Sequence, residues 1–229
     1  MSEWNVNGLH PSLPDPKDIL TLMEQMGVEV LWDKGNTFSH KKLMPTISQY
    51  PDSPILVVDD DVLQRKGWLQ TFIDDHYKYP NDIIYGISGS IVDIINDKIV
   101  EGIAQRGCHT HPGRLTYIEK PSNGAAGTLY PVGTFIDQRF FDRSLYMSLC
   151  PTSDETWQWA WAVMADMQYR CLSSHNYPNL NAGSSQNKAL FMTNIDRYTI
   201  YHNAIANKFP IYKEKLKIRN YENKRSNIM

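Results

Sequence analysis

The first ninety residues alternate between two hydrophobic patterns, one typical of helices and one typical of buried strands. Residues 15–26 begin with Asp15 as a candidate N-cap and Pro16 at the first helical position, and Gly27 follows the run, so this stretch predicts a helix. Similar reasoning predicts two further helices and three strands. The helices are predicted at 41–50 and 66–80, and the strands at 28–32, 54–58 and 82–88. Such alternation is typical of a layered α/β sheet with mostly parallel strands.

Beyond residue 90 the pattern becomes less regular. Brief strands are predicted at 90–97, 98–103 and 114–119, and helices at about 137–146, 154–168 and 184–208. Residues 211–229 are basic and polar, which predicts a solvated tail, with a segment for an anionic partner as the alternative. Because no low-complexity linker interrupts the rest, residues 1–210 are predicted to form a single domain.

Composition narrows the class of protein. The chain has 229 residues, of which 41% are hydrophobic, enough for an ordinary core. A formal net charge of −2 argues against general attraction to nucleic acid. No apolar run approaches the ~20 residues of a membrane-spanning helix, and residues 1–16 lack the apolar centre of a signal peptide. Three widely spaced cysteines argue against a disulfide framework. These features predict a soluble, reduced, cytoplasmic protein.

The most informative stretch chemically is PILVVDDDVL, residues 54–63, where an apolar run meets three aspartates. Open α/β sheets bind ligands at the carboxyl ends of their strands. Side chains of an extended strand alternate between faces, so Asp59 and Asp61 can face one ligand while Asp60 points away. Adjacent acids repel one another without a cation. The stretch therefore predicts a cation site, with a solvated acidic strand end as the alternative.

Two other classes of protein place aspartates after a strand, and the rest of the chain argues against both. A receiver domain needs a phosphate-accepting Asp at a later strand end, but residues 98–111 contain none, and Lys120 with Pro121 comes too early for the receiver Lys-Pro pair. A haloacid-type phosphatase usually has Thr or Val two residues after its second Asp, where Leu63 stands here.

Three segments resemble bacterial GT-A glycosyltransferases of the capsule and lipopolysaccharide type. They are HKKLMPTISQYPDSPILVVDDDV at 40–62, GAAGTLYPVGTF at 124–135 and LCPTSDETWQWA at 149–160. With the spacings between them, the resemblance spans residues 28 to about 170. It implies a GT-A fold, a Rossmann-like mixed α/β sheet flanked by helices. The nucleotide- and metal-binding half would lie at about 1–90 and the acceptor half at about 91–210.

The resemblance implies roles for the acids and for two nearby lysines. Asp59 would lie near the donor ribose or the metal, and Asp61 would bind Mn²⁺ or Mg²⁺. Carboxylate oxygens suit such a cation, which would offset the charge of the departing nucleotide diphosphate. Lys41 and Lys42 stand at the start of a predicted helix, where backbone N–H groups and an ammonium group can bind phosphate. An ordinary exposed lysine pair is the alternative.

A second acidic pair is the candidate catalytic base. Asp154 and Glu155 follow the metal motif by about ninety residues, as in the related enzymes. An inverting transferase needs a carboxylate that takes the proton from the acceptor hydroxyl, and either residue could supply it. The alternative is a helix start, with Ser153 or Asp154 as its cap. Trp157 is the expected contact to an acceptor sugar.

Glycines and late histidines complete the candidate site. Gly124 and Gly127 let the backbone approach a ligand, and in the related enzymes such a loop lies against the donor sugar and the acceptor. A plain turn is the alternative. Some GT-A enzymes add a late histidine to the metal, which makes His175 and His202 candidates, although a lone histidine is more often structural.

The expected function is a metal-dependent, inverting glycosyltransferase that moves a sugar from a nucleotide-diphosphate sugar to a glycan or lipid-linked acceptor. The strand that usually opens such enzymes, apolar-Ser-Leu-Thr-Ser-Tyr-Pro, is not found in the sequence. Its loss would leave a sheet edge that a homodimer could cover. The alternative is therefore a catalytically impaired GT-A-like binding or assembly subunit. A lipid-linked acceptor would allow peripheral membrane association, and no nucleic-acid partner is expected.

Overall fold

The computed structural model of the chain describes residues 16–59, 62–86, 89–104, 112–121, 126–173, 180–181 and 197–226. These residues form a mixed α/β structure of seven α-helices and ten short strands. The helices are α1 Pro16–Gln25, α2 Met44–Gln49, α3 Trp68–Lys78, α4 Arg143–Leu149, α5 Asp154–Met164, α6 Tyr198–Lys208 and α7 Pro210–Ser226. The strands are β1 Ile55–Val57, β2 Val62–Leu63, β3 Ile83–Tyr85, β4 Ser90–Ile95, β5 Lys98–Ala104, β6 Leu115–Thr116, β7 Glu119–Lys120, β8 Thr128–Tyr130, β9 Tyr169–Cys171 and β10 Leu180–Asn181.

Five strands form the central sheet in the order β1-β8-β3-β9-β6. Strand β8 is antiparallel to both β1 and β3, β9 is parallel to β3, and β6 is antiparallel to β9. The prediction of a mostly parallel sheet is therefore wrong, and the mixed sheet is confirmed. The helix–strand alternation could not show this arrangement, because β8 comes from a distant part of the chain and inserts between β1 and β3.

A three-stranded antiparallel sheet, β5-β4-β7, lies beside α6 and α7. Strands β4 and β5 form a hairpin whose two turn residues, Asn96 and Asp97, both have positive φ angles. Asparagine and aspartate tolerate that conformation better than most residues, and a two-residue turn of this kind matches the twist of the strands. This hairpin and β7 carry two charged residues that reach the candidate site. A short pair, β10 with β2, is also present.

The predicted elements of the first ninety residues are confirmed in part. Helix α1 and strands β1 and β3 lie where they were predicted, as does α3. Residues 28–32, predicted as a strand, are irregular and pair with no described strand. The helix predicted at 41–50 divides into a 3₁₀ helix, Phe38–Lys42, and α2, which has Pro45 in its first turn.

Residues 210–226 are part of the packed structure. Residues 210–226 form α7, in which Tyr212 and Leu216 are fully buried. These two residues lie four positions apart, so they face α5 and α6 together. The prediction of a solvated tail at 211–229 is therefore wrong for residues 211–226. The many lysines and arginines of this segment hid a narrow apolar stripe.

The state of the cysteines differs from the expectation. Cys150 is a buried free thiol, whereas Cys171 is disulfide-bonded, which contradicts the expectation of a fully reduced chain. Within the part of the chain that the structure describes, no helix is long and apolar enough to cross a membrane.

Candidate functional site

Strand β1 places Asp59 at the edge of the core. Ile55 and Val57 of β1 are buried in the core, and Asp59 follows two residues after the strand ends. The Asp59 side chain is 26% exposed and forms an ion pair with the ammonium group of Lys42. This contact places the Lys42 side chain next to the first aspartate of the acidic motif. Asp60 and Asp61 lie outside the described residues.

The start of α5 carries the second acidic pair. The Ser153 hydroxyl accepts a hydrogen bond from the Thr156 N–H at 3.3 Å, so Ser153 is the helix cap and Asp154 is not. Asp154 is buried, and its carboxylate accepts a hydrogen bond from the Gln158 amide at 3.3 Å. The Glu155 side chain is 20% exposed. The two carboxylates therefore differ in access, and only Glu155 reaches the surface appreciably.

Lys42 connects the two acidic groups. Burial lowers the pKa of the Lys42 ammonium, but the carboxylates of Asp154, Asp59 and Glu155 raise it, and the net shift is upward. Lys42 is thus a firmly charged cation between the end of β1 and the start of α5. Asp154 and Glu155 therefore act on the same ammonium group as Asp59, although ninety-odd residues separate them in the sequence.

A buried lysine that the sequence reasoning missed lies on the other side of Glu155. The Lys120 ammonium is 3.1 Å from Glu101 Oε1 and 3.5 Å from Glu155 Oε2, and it lies 4.7 Å from the centre of the Tyr198 ring. Burial lowers the pKa of Lys120, but Glu101, Glu155 and Tyr198 raise it well above its ordinary value. Lys120 is therefore charged throughout the physiological range.

Lys120 pairs with Glu101, which belongs to a buried network with His202 and Tyr212. Burial raises the pKa of Glu101, but Lys120 and then His202 lower it, and the resulting pKa is about 2. His202 Nε2 lies 2.8 Å from Glu101 Oε2, and His202 Nδ1 lies 2.7 Å from the Tyr212 hydroxyl. Burial lowers the pKa of His202 despite Glu101, so the ring is neutral, donates to Glu101 and accepts from Tyr212.

The sequence did contain a signal for this network. Glu101 interrupts the apolar run KIVEGI, and Lys120 ends the run RLTYIEK. A charged residue within a buried strand pattern needs a partner of opposite charge, because an unpaired buried charge is costly. Which charge pairs with which could not be read from the pattern. The contacts also exclude His202 as a late metal ligand in this structure, since both ring nitrogens are engaged.

His40 is a buried residue near Asp154. Its ring is buried, stacks on Tyr146 at 4.4 Å, and donates from Nε2 to the Cys150 carbonyl oxygen at 2.8 Å. Burial lowers the pKa of His40, although the nearby Asp154 carboxylate raises it. With His40 neutral, the Asp154 carboxylate acts on a charged group at Lys42, whose pKa it raises.

Other predicted site residues lie elsewhere or outside the description. Lys41 lines a cleft of about 300 Å³ with five other residues, Glu29, Leu31, Pro45, Thr46 and Tyr50, and no contact joins it to Asp59. Gly127 has φ +91°, and a Cβ there would lie 2.8 Å from Trp68, so packing alone requires this glycine. Gly124 and His175 lie outside the described residues.

Trp157 belongs to the core. Its side chain has no exposed surface, its indole N–H donates to the Phe140 carbonyl at 3.0 Å, and its ring packs edge-on against Trp161. A ring without exposed surface cannot stack on a sugar, so the prediction of an acceptor contact at Trp157 is wrong. The aromatic residue was mistaken for a surface ring because α5 is buried on nearly every side.

Comparisons with protein-family models, with curated proteins and with solved structures gave no match. Among the described residues, no three His, Cys, Asp or Glu side chains are grouped in a way that could hold a metal ion.

Proposed function

We propose that the protein is a metal-dependent glycosyltransferase that moves a sugar from a nucleotide-diphosphate sugar to a glycan or lipid-linked acceptor, with inversion at the anomeric carbon. One observation carries this proposal. Lys42 pairs with Asp59 at the end of β1 and is held charged by Asp154 and Glu155 at the start of α5. Residues expected to bind the donor and to act as the base thus converge on one cation.

The charge of the cluster suits a divalent cation. Four carboxylates and two ammonium groups give the cluster a formal charge of −2; they belong to Asp59, Glu101, Asp154 and Glu155, and to Lys42 and Lys120. Carboxylate oxygens are the ligands that Mn²⁺ and Mg²⁺ take in such sites. Asp59 and Asp61 are the residues that would hold the ion. When bound, it would offset the charge of the nucleotide diphosphate.

Lys42 would bind the diphosphate of the donor directly. Its side chain is 36% exposed, so the ammonium can turn from Asp59 towards a phosphate oxygen without leaving the cluster. A lysine ammonium is a compact donor that binds phosphate well. Lys41, on the neighbouring cleft, is the second candidate for a donor contact.

Glu155 is the better candidate for the base. It is the more accessible of the two acids, and Lys120 holds its carboxylate at 3.5 Å. A general base must reach the hydroxyl from which it takes the proton, and a side chain without access to solvent cannot. Asp154 instead supports Lys42 electrostatically and accepts from Gln158.

Calorimetric titration of UDP and GDP, with and without Mn²⁺, tests the proposal. The wild-type protein should bind one nucleotide only with the metal, and Asp61→Ala should weaken that binding by about tenfold or more. Asp52→Ala is the matched control, because Asp52 is an exposed aspartate a few residues before β1. Equal nucleotide affinity in Asp61→Ala and Asp52→Ala would contradict the proposal. So would a nucleotide affinity that is the same with and without Mn²⁺.

A second candidate is the catalytically impaired GT-A-like binding or assembly subunit. The observation that favours it is the pairing of the key carboxylates, since Asp59 is held by Lys42 and Glu155 by Lys120. If no nucleotide diphosphate binds with or without Mn²⁺, this candidate replaces the first.

A further inference from the structure

Lys120 is a buried cation supplied to the candidate site by the small sheet. Strand β7 pairs with β4, with Lys120 opposite Ser90 and Glu119 opposite Ile91. The two β7 side chains are engaged differently. Glu119 accepts from the Tyr85 hydroxyl at 2.9 Å, whereas Lys120 reaches Glu101 on β5 and Glu155 on α5. The small sheet therefore contributes a cation to the candidate site.

The burial of Lys120 needs a compensating partner, and Glu101 supplies most of it. The side chains of Lys120 and Glu101 are 3% and 1% exposed. A buried ammonium is costly unless it is paired and hydrogen-bonded, and Glu101 is the closer of its two carboxylates. One anion would satisfy the single charge of Lys120. The second contact, to Glu155, is therefore more than burial requires.

Only one member of this charged group reaches solvent appreciably. The Glu155 side chain is 20% exposed, against 1% for Glu101. The buried part is held in place by His202 and Tyr212, which bond in series behind Glu101. Lys120, Glu101, His202 and Tyr212 thus form a buried network, and Glu155 is the accessible residue in contact with it. Glu155 is also the candidate base.

We propose that Lys120 is a positioning residue, which holds the Glu155 carboxylate in a fixed orientation and in its charged form at the surface of the site. Glu101 anchors Lys120, and His202 and Tyr212 anchor Glu101. The inference deepens the proposed function and rests on it for the role of Glu155 as a base. The placement of Glu155 by Lys120 does not depend on which sugar is transferred.

Within the described residues, groups on several elements act on the charge of Glu155. Lys120 on β7 and Lys42 on the 3₁₀ helix favour its ionised form, while Asp154 beside it on α5 opposes that form. Tyr198 and His202 on α6 and Glu101 on β5 surround Lys120. Lys120 forms a salt bridge with the Glu155 carboxylate, at 3.5 Å.

Carbon-13 NMR of the full chain labelled at glutamate side-chain carboxyls tests this placement. The Glu155 signal is assigned by its loss in Glu155→Gln, and its pH titration is followed in the wild type, Lys120→Met and Lys98→Met. The titration midpoint of Glu155 should rise by about 1–3 pH units in Lys120→Met. Lys98→Met is the matched control, an exposed lysine of the same small sheet, and should leave the midpoint unchanged.

Lys120→Met could fail to fold, because it leaves Glu101 without its cation. The double variant Glu101→Gln with Lys120→Met removes one anion and one cation together and keeps the balance of buried charge. It should also show a rise in the Glu155 midpoint, smaller than in Lys120→Met because the Glu101 anion is removed as well. An unchanged midpoint in whichever variant folds overturns the proposal. Loss of folding in both overturns it too, because Lys120 would then be purely structural.

Failure of the function and failure of the positioning role give different results. If nucleotide titration shows no binding but the Glu155 midpoint shifts, the placement stands and the transferase proposal falls. If nucleotide binds with Mn²⁺ and the Glu155 midpoint does not shift, the transferase proposal stands and the positioning role of Lys120 falls. Where turnover of a UDP- or GDP-sugar is found, Lys120→Met should lower kcat more than it changes KM and should move the acidic limb of the pH profile upward.

Discussion

At the scale of single residues, burial on α5 separates core residues from site residues. Trp157, Trp159 and Trp161 lie at alternate positions, so they cannot share one helix face. All three are nevertheless buried, because α5 is enclosed by α6, α7 and β7. A helix that is apolar all round is a core helix. On α5, only Glu155 near the start and Met164 at the end are not buried, and Glu155 is the charged residue of the two.

Trp157 should therefore matter for stability. Trp157→Ala removes a fully buried ring and its hydrogen bond, so the free energy of unfolding should fall by about 3–5 kcal/mol. Trp32→Ala is the control, because Trp32 is 66% exposed, and it should change stability by no more than about 0.5 kcal/mol. Urea denaturation followed by circular dichroism measures both. A loss of similar size in the two variants would contradict the placement of Trp157.

At the scale of elements, α7 closes the structure over α5. It contacts α5, α6 and β4, and its Arg219 guanidinium donates to the Met167 carbonyl just beyond the end of α5. Tyr212 on the same helix forms the last link of the network that supports Glu101. The helix is thus tied to the candidate site as well as to the core, although most of its residues are polar.

Two substitutions on α7 test its packing. Leu216→Ala removes a fully buried side chain and should lower the free energy of unfolding by about 2–5 kcal/mol. Ile218→Ala, two residues on, changes a side chain that is 55% exposed, and alanine favours the helix, so its effect should stay within about 0.5 kcal/mol. Thermal and urea unfolding of the pair provide the comparison. If both variants match the wild type, α7 does not pack as described.

At the scale of the whole molecule, local patterns predicted elements better than they predicted partners. The apolar run ILVV and the spacing of Trp68 and Phe72 marked β1 and α3 correctly, because both signals are local. The position of β8 between β1 and β3, and the pairing of Lys120 with Glu101 and Glu155, depend on contacts between distant segments. No periodicity within one segment records such contacts.

The site was predictable to the same extent. The resemblance predicted that Asp59 would share a site with Asp154 and Glu155, and the structure shows that all three carboxylates raise the pKa of Lys42. Burial, by contrast, depends on which elements cover a helix. The sequence alone does not distinguish a tryptophan in a core from one on a sugar-binding surface. The choice between Asp154 and Glu155 needed the exposure of each side chain, which no sequence pattern states.

The buried charges also make the whole fold sensitive to acid. The folded-state pKa of Glu101 is about 2, below its ordinary value of 4.5, so the unfolded chain takes up a proton first as the pH falls. The stabilisation by Glu101 is therefore complete above about pH 5 and is lost between that pH and about pH 2, by at most about 3 kcal/mol. Glu101→Gln should be less stable than the wild type at pH 7, but its stability should fall less steeply below pH 5. Glu214→Gln, at an exposed glutamate of α7, should follow the wild-type curve. Thermal unfolding midpoints between pH 2 and pH 7 measure the difference, and parallel curves for Glu101→Gln and the wild type would show that Glu101 is not held ionised by Lys120.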